Sequence, residues 1–201
     1  RFTLWMPESG DDAAALSQAG FSRVMTGYHT VLLDLSQPAE ALRAQLGGKW
    51  RNRLKAAESC RLQVSELAGP EEYGWLLRME EAQRQSRRYA ALPPALVPAY
   101  QLQHGRGGVL ALAATQQGQP VAGLLCLLHA GCATYHIGWS SEAGKAVNAH
   151  NLLLWQAVRR LQARGIRWFD LGGVMTDAAP GLARFKLGTG GAVHSLPGTY
   201  F

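Results

Sequence analysis

Three consecutive segments in the middle of the chain are rich in apolar and β-branched residues, and turn residues separate them. We predict strands over residues 109–115, 121–129 and 132–140. Tight turns at Gln117-Gly118 and Ala130-Gly131 join these segments. Strands linked by turns this short must run in opposite directions. The central chain is therefore predicted to form an antiparallel meander.

A helical pattern follows the meander. Residues 148–164 place Leu154, Val158 and Leu161 on one face, with Asn148 at the start and Gly165 at the end. Residues 167–171 form the next predicted strand. A strand, a helix and another strand make a parallel pair, because a crossover helix returns the chain to the same end of the sheet. A short helix over 180–187 and a strand over 192–196 complete this part.

The N-terminal third shows weaker patterns. A small helix is predicted over 11–19, a buried strand over 31–35 and a further strand over 61–67. Leu42, Leu46, Trp50 and Leu54 recur every fourth residue, but the Gly47-Gly48 pair interrupts this stripe and predicts a kink or break. The fold class is therefore α/β (α+β), with a mixed, mainly antiparallel sheet flanked by helices.

Composition restricts the class of protein. Of the 201 residues, 47% are hydrophobic and 17% are charged, as in a packed globular protein. The net charge of +6 favours anionic partners such as phosphates, coenzyme A, nucleotide sugars or tRNA, without choosing among them. The three cysteines form no CxxC pair, and small buried thiols explain Cys126 and Cys132.

Targeting signals are not evident in the printed sequence. No apolar run approaches the roughly 18 residues that span a bilayer, and no signal-peptide pattern is present. The sequence begins with Arg1 rather than Met, so a fragment of a longer chain is one interpretation. We expect no membrane span and a cytoplasmic location.

Several polar residues are predicted to lie where strand direction changes, which is where ligands bind in such sheets. Asp170 ends a strand beside Gly172-Gly173 and is a candidate base or acceptor-orienting group; a turn-capping carboxylate is the alternative. Tyr135 and His136 alternate on one strand, so only one should face the crevice. Each is a candidate acid or base, against an ordinary core or surface role.

Cations and histidines suggest binding rather than metal chemistry. Lys49, Arg51 and Arg53 belong to the densest basic stretch and are candidate substrate-binding residues, with a solvated helix face as the alternative. The histidines lack ligand spacing, so no metal is predicted.

Four sequence strings together resemble the FemABX branch of the GNAT-like acyltransferase superfamily. The resemblance covers roughly residues 31–193 and rests on the order and spacing of these strings. They are KWRNRLKAAE from Lys49, YHIG from Tyr135, LLLW from Leu152, and FDLGG from Phe169 followed by GLARFKLG from Gly181.

The resemblance implies a fold and a reaction. FemABX proteins have two GNAT-like domains in tandem and pass amino acids from aminoacyl-tRNA to the amine of a peptidoglycan precursor, whereas relatives use acyl-CoA. Residues 1–60 are expected to be the remnant of a first domain with a connecting helix, and residues 61–201 a GNAT-like acyltransferase domain. A site shared between two domains would then be incomplete.

The resemblance also assigns site residues. Lys186 matches the lysine of the family's Phe-Lys string, which contacts a phosphate or the developing oxyanion; a solvated helix lysine is the alternative. The segment before the long helix occupies the pyrophosphate-loop position, where Ser141 stands in place of the usual Gln or Arg. The expected donor-binding residues are Gly144, Lys145, Ala146, Asn148 and Asn151.

The predicted function is transfer of an acyl or aminoacyl group to an amine, with no tightly bound cofactor. Aminoacyl-tRNA is the favoured donor, because the Ser141 departure weakens coenzyme A binding. The expected partners are an anionic small molecule or cell-wall precursor, and tRNA. The alternatives are an acyl-CoA-dependent N-acetyltransferase and a catalytically silent GNAT-like binding module.

Overall fold

The computed structural model describes residues 4–89, 91–177 and 179–201. Within these ranges the chain forms the following strands: β1 (Arg23–Met25), β2 (Tyr28–Asp34), β3 (Gln63–Leu67), β4 (Val109–Gln116), β5 (Gln119–His129), β6 (Cys132–Ser140), β7 (Trp168–Gly173), β8 (Ala192–Leu196) and β9 (Thr199–Tyr200). The helices are α1 (Gly10–Gln18), α2 (Ala39–Gln45), α3 (Gly48–Ser59), α4 (Pro70–Arg87), α5 (Leu96–His104), α6 (Glu142–Ala146), α7 (Ala149–Ala163) and α8 (Pro180–Leu187).

Seven of these strands form one sheet in the order β3-β4-β5-β6-β7-β2-β8. Neighbouring strands are antiparallel except β6 and β7, which are parallel because α7 carries the chain from one to the other. The prediction of a mixed, mainly antiparallel sheet is confirmed. The predicted strands around Val109, Val121, Cys132 and Trp168 all belong to it, and α7 packs on it.

The two faces of the sheet bury separate cores. Side chains such as Leu110, Leu124 and Phe169 pack against α3 and α7 on one face. Side chains such as Leu125 and Ile137 pack against α4 and α5 on the other. Successive side chains of a strand point to opposite faces of the sheet, so β4 and β5 contribute to both cores. For this reason their sequences are continuously apolar.

The four-residue apolar stripe of the N-terminal third is buried throughout. Leu42, Leu46, Trp50 and Leu54 are all at most 5% exposed. The predicted break is confirmed, since α2 ends at Gln45 and α3 begins at Gly48. Two short helices thus bury the stripe in one core.

Strand β2 lies between β7 and β8 in the main sheet. It belongs to residues 1–60, which the sequence assigned to the remnant of another domain. These residues and residues 61–201 thus share one sheet and one core in the structure. The remnant origin of the N-terminal segment stays a prediction.

Across the described ranges no helix is both long and apolar enough to span a membrane. The same ranges contain no group of three or more His, Cys, Asp or Glu side chains arranged to hold a metal ion.

Candidate active site

The two parallel strands separate in the centre of the sheet. Pairing between β6 and β7 runs from Cys132–Trp168 to Thr134–Asp170 and ends there, although both strands continue. Beyond that point β6 stays paired to β5 and β7 stays paired to β2. A divergence of this kind, beyond the carboxyl ends of a parallel pair, is where ligands bind in mixed sheets.

A bulge in β7 contributes to the separation. Thr30 pairs with Gly173 and Leu32 with Asp170, so β7 has one residue more than β2 over this stretch. Gly172 lies between the paired residues Asp170 and Gly173 and has φ +75°. This left-handed conformation is energetically unfavourable for residues other than glycine. This conformation turns β7 away from the extended path that pairing with β6 requires.

A second bulge lies opposite, in β6. Leu125 pairs with Ile137 while Cys126 pairs with Tyr135, so His136 is the extra residue. The bulge reverses which face the following side chains occupy. Tyr135 packs with the α7-side core, and Ile137, two residues later, belongs to the α4-side core.

Lys186 reaches the divergence from α8. It is 6% exposed, and its Nζ donates a hydrogen bond to the backbone carbonyl oxygen of Gly173 over 2.9 Å. The same Nζ lies 5.8 Å from the ring centroid of Tyr135. Burial lowers the pKa of Lys186 to about 8, and the negative charge of Asp170 opposes part of that effect. The pKa of Lys186 is thus well below the usual 10.5 of a lysine side chain.

Asp170 lies close enough to Lys186 for its charge to raise the pKa of the lysine, and hydrogen-bond donors hold its carboxylate in place. Its Oδ1 accepts a hydrogen bond from the backbone N–H of Gly172 over 2.7 Å and another from the hydroxyl of Thr30. The two hydrogen bonds orient the carboxylate of Asp170. Burial, and after it the negative charge of Asp170, raises the pKa of the nearby Tyr28. The turn-capping role considered from the sequence is thus present, and a role of Asp170 in the chemistry stays a prediction.

Tyr135 is turned away from solvent. Its hydroxyl forms a 2.9 Å hydrogen bond with Nε2 of His150, the second residue of α7. Burial raises the pKa of Tyr135 and lowers the pKa of His150 to about 4. Both side chains are therefore neutral at physiological pH.

His136 is half-buried at the bulge, and burial lowers its pKa while the charge of Glu80 opposes the change. Glu80 is a carboxylate on α4 that is 7% exposed and accepts a hydrogen bond from the Tyr89 hydroxyl over 3.2 Å. His136 is thus a neutral imidazole beside the divergence and retains its candidacy as a base.

The loop assigned to donor binding satisfies much of its own backbone. Ser141 Oγ accepts from the N–H of Gly144 over 3.1 Å, and its carbonyl oxygen accepts from the N–H of Lys145 over 2.9 Å. Gly144 is buried, and a Cβ there would lie 2.1 Å from the carbonyl oxygen of Val121. The side chains of Lys145 and Ala146 are exposed. The packing of the loop against β5 thus requires a glycine at position 144.

Two asparagines flank the first turn of α7. Asn148 is the N-cap residue with φ +53°, but its side chain makes no capping hydrogen bond. Asn151 is 5% exposed, and its Nδ2 is buried with no hydrogen-bond partner within the described part of the chain. Neither contacts Lys186 or Asp170 through a hydrogen bond in those residues.

The basic stretch lies on the outer face of α3. Lys49, Arg51 and Arg53 are exposed, whereas Trp50 on the same helix is buried and packs 5.8 Å from the ring of Phe185. The helix therefore supports α8 through Trp50 and presents its cations outward. In the described residues no ion pair or hydrogen bond joins these cations to Lys186.

Sequence analysis did not identify Tyr28, Thr30, Glu80 or His150 as site residues. Tyr28 and Thr30 are on β2, and nothing in the local sequence places β2 beside β7. His150 was noted only as a histidine without ligand spacing. Its meeting with Tyr135 depends on the bulge at His136.

Comparison with known proteins gives a family match. Residues 42–191 match the family described as an acetyltransferase (GNAT) domain. A comparison with curated proteins gave no match.

Solved structures show the same fold at low sequence identity. The crystal structure of FemX superposes with a TM-score of 0.80 at 11% identity, covering 98% of this chain and 70% of that one. The C-terminal domain of a putative lysylphosphatidylglycerol synthetase from Agrobacterium fabrum gives a TM-score of 0.66 at 13% identity, covering 98% and 66%. A GCN5-related N-acetyltransferase from Kribbella flavida gives 0.56 at 13% identity, covering 94% and 62%. The chain thus spans about two thirds of the length of these structures.

Proposed function

The chain belongs to the acetyltransferase (GNAT) domain family, and on that premise we propose that it transfers an aminoacyl group from aminoacyl-tRNA to the amine of a cell-wall precursor. The observation that supports this most directly is the ammonium of Lys186, buried between β6 and β7 and bonded to Gly173. GNAT-type acyl transfer is the general activity of the fold. The aminoacyl donor and the precursor acceptor are the proposal.

The chemistry requires few protein groups. A neutral amine attacks the ester carbonyl of the donor, a C–N bond forms, and the C–O bond to the ribose breaks after a tetrahedral intermediate. Negative charge develops on the carbonyl oxygen and then on the leaving oxygen. A cation in a site shielded from water stabilises both, and one such donor typically contributes about 10²–10³ in rate.

Lys186 has the properties for this role. With a pKa of about 8 it is mainly protonated at neutral pH, yet it can transfer its proton to the leaving 3′-oxygen of the tRNA. Its hydrogen bond to Gly173 fixes the position of Nζ before substrate arrives. Little reorganisation is then required during the reaction.

The acceptor amine loses a proton when it attacks. Asp170 is the candidate to orient the amine, because Thr30 and the N–H of Gly172 fix its carboxylate beside Lys186. His136 is the candidate to accept the proton, because burial keeps its imidazole neutral. The proton lost by the amine and the proton gained by the leaving oxygen balance over one turnover.

The loop before α7 supports tRNA over coenzyme A as the donor. Backbone N–H groups at a helix start bind pyrophosphate when they are free. Here those of Gly144 and Lys145 already donate to Ser141. The exposed cations of α3 offer an additional surface for the phosphates of a nucleic acid or of an anionic precursor.

The alternative donor is acyl-CoA. The family description, an acetyltransferase domain, favours it, as do Gly144 and Ala146 at the usual loop positions. In that case the thioester C–S bond breaks instead of an ester C–O bond, and Lys186 has the same role toward the carbonyl oxygen.

Isothermal titration separates the donors. We expect tRNA to bind, with an affinity that falls at least about tenfold between 50 and 200 mM salt as counterions are released from its phosphates. Acetyl-CoA should bind no tighter than millimolar. Micromolar acetyl-CoA affinity, with tRNA binding absent or insensitive to salt, would replace the proposal with the acyl-CoA alternative. Binding of neither donor would favour the silent binding module.

A further inference from the structure

The hydroxyl of Tyr135 reaches His150 across a position that only glycine can occupy. A Cβ at Gly138 would lie 1.7 Å from the Tyr135 hydroxyl oxygen and 3.0 Å from Cε1 of His150. Gly138 is three residues beyond Tyr135, and the bulge at His136 turns both to the α7 side of β6. The missing side chain therefore makes room for the Tyr135–His150 hydrogen bond.

His150 contacts the element that carries the lysine as well. Its ring centroid lies 5.5 Å from that of Phe185, the residue before Lys186 on α8, and 5.9 Å from that of Tyr135. Phe185 is backed in turn by Trp50 of α3. The imidazole of His150 thus contacts both the Tyr135 ring, which lies near Nζ of Lys186, and Phe185, which precedes Lys186 on α8.

We propose that Tyr135 and His150 form a positioning pair for Lys186, in which the hydrogen bond fixes the Tyr135 ring against the ammonium and His150 supports α8 through Phe185. The role of Lys186 in acyl transfer rests on the proposed function, but its positioning by this pair does not. Tyr135 is then a positioning residue and not the acid or base considered from the sequence.

The pair is suited to a fixed role because neither member titrates near neutral pH. Burial keeps His150 neutral above about pH 4 and keeps the Tyr135 hydroxyl protonated. The ionisable groups that face Lys186 from the packed elements are Asp170 of β7, Tyr28 of β2 and Tyr135 of β6. Of these groups, Asp170 is the one whose charge raises the pKa of Lys186.

The pKa of Lys186 is the quantity that tests whether Tyr135 and His150 position this lysine. The sequence contains four lysines, and Lys49, Lys55 and Lys145 are exposed. Carbon NMR of protein labelled at lysine Cε should therefore resolve a signal that titrates with a pKa of about 8, and its absence from Lys186→Arg assigns it to Lys186. No donor, acceptor or activity is needed for this measurement.

Removing the hydrogen bond should expose Lys186 to water. In Tyr135→Phe and in His150→Leu we expect the pKa of Lys186 to rise by at least about half a unit, a threefold change in its acid constant. The double variant should raise it no further than His150→Leu alone, because that substitution already removes both the hydrogen bond and the contact with Phe185. His150→Gln keeps a polar group near the Nε2 position and should retain most of the wild-type value.

Tyr73→Phe is the matched control. Tyr73 is fully buried, and its hydroxyl bonds to Gln101 over 2.7 Å in the other core, away from Lys186. It should lower stability without moving the titration of Lys186. Gly138→Ala is a second test, since its Cβ displaces the Tyr135 hydroxyl, and it should reproduce the Tyr135→Phe shift.

An unchanged Lys186 titration in folded Tyr135→Phe and His150→Leu proteins would overturn the positioning pair. An ordinary lysine pKa in the wild type would overturn it as well, because Lys186 would then not be held in a buried position. Either result leaves the proposed acyl transfer to be judged by its own binding and kinetic assays.

Discussion

The ammonium of Lys186 is bonded to the carbonyl oxygen of Gly173, which fastens α8 to the end of β7 at the point where β7 has left β6. A buried lysine normally pairs with a carboxylate. Here a neutral carbonyl is the hydrogen-bond acceptor, and Asp170 contributes only through its charge. The ammonium of Lys186 therefore loses its proton more readily than that of an exposed lysine.

Replacing Lys186 should strongly reduce activity without destabilising the fold. Lys186→Met is expected to lower kcat/KM by about 10²–10³, the usual loss for one oxyanion donor. Its pKa of about 8 lies below the ordinary 10.5, so the buried charge disfavours folding at neutral pH. The melting temperature at pH 7 should therefore stay the same or rise. Lys55→Met, at an exposed position of α3, is the control for both assays. A wild-type rate for Lys186→Met with the correct donor would remove Lys186 from the site.

Activity should decline in alkaline solution. If Lys186 must donate its proton, kcat falls about tenfold per pH unit above roughly pH 8. Lys186→Arg remains charged and should be less active at pH 7 but should lack this alkaline decline. A pH–rate profile of both proteins measures the effect. The same decline in the arginine variant would assign it to another group.

His150 should make the protein sensitive to acid. Its pKa is about 4 in the folded protein and ordinarily 6.5, so the unfolded chain binds the proton more strongly. The stability contributed by neutral His150 is present above pH 6.5 and is lost as the pH falls toward 4. Urea unfolding at pH 7.5 and pH 4.5 should show a smaller loss in His150→Gln, by roughly 2 kcal/mol. Equal losses in the two proteins would contradict the burial of this imidazole.

A side chain at position 172 should destabilise the protein and slow the reaction. Its φ of +75° costs other residues about 1–2 kcal/mol, and a Cβ would lie 3.5 Å from Nζ of Lys186. Gly172→Ala should therefore lower the free energy of unfolding by that amount and also reduce kcat. Gly181→Ala, in α8 with open space around its Cβ position, is the control and should leave both unchanged or slightly improve stability. Equal effects of the two substitutions would show that the β7 bulge is not needed.

The regular elements were accessible from sequence because their signals are local. These signals are the apolar segments of β4 to β6, the glycine-containing turns between them and the four-residue stripe of α2 and α3, and all of them depend on neighbours a few residues apart. The parallel pairing of β6 and β7 followed from the crossover helix between them. The family strings, including Phe185-Lys186, identified the fold at an identity too low for overall similarity to be informative.

The composition of the site was less accessible. Strict alternation assigned Tyr135 and His136 to opposite faces, but it would also place Tyr135 and Ile137 on the same face, and the bulge separates them. A bulge depends on how the partner strand is held, and the sequence around His136 does not encode that. The roles proposed for Asp170, His136 and the loop residues stay predictions.

What the sequence by itself determined is the set of elements, their order and the glycines that permit tight turns. Only the tertiary structure decided that β2 inserts beside β7, so that Thr30 bonds to Asp170 although they are 140 residues apart in the chain. It also decided that Lys186 is buried against Gly173 and Tyr135 and not solvated on its helix. The physical reason is that periodicity reflects short-range geometry. The burial of a charge depends on every element that packs around it, and those elements come from distant parts of the chain.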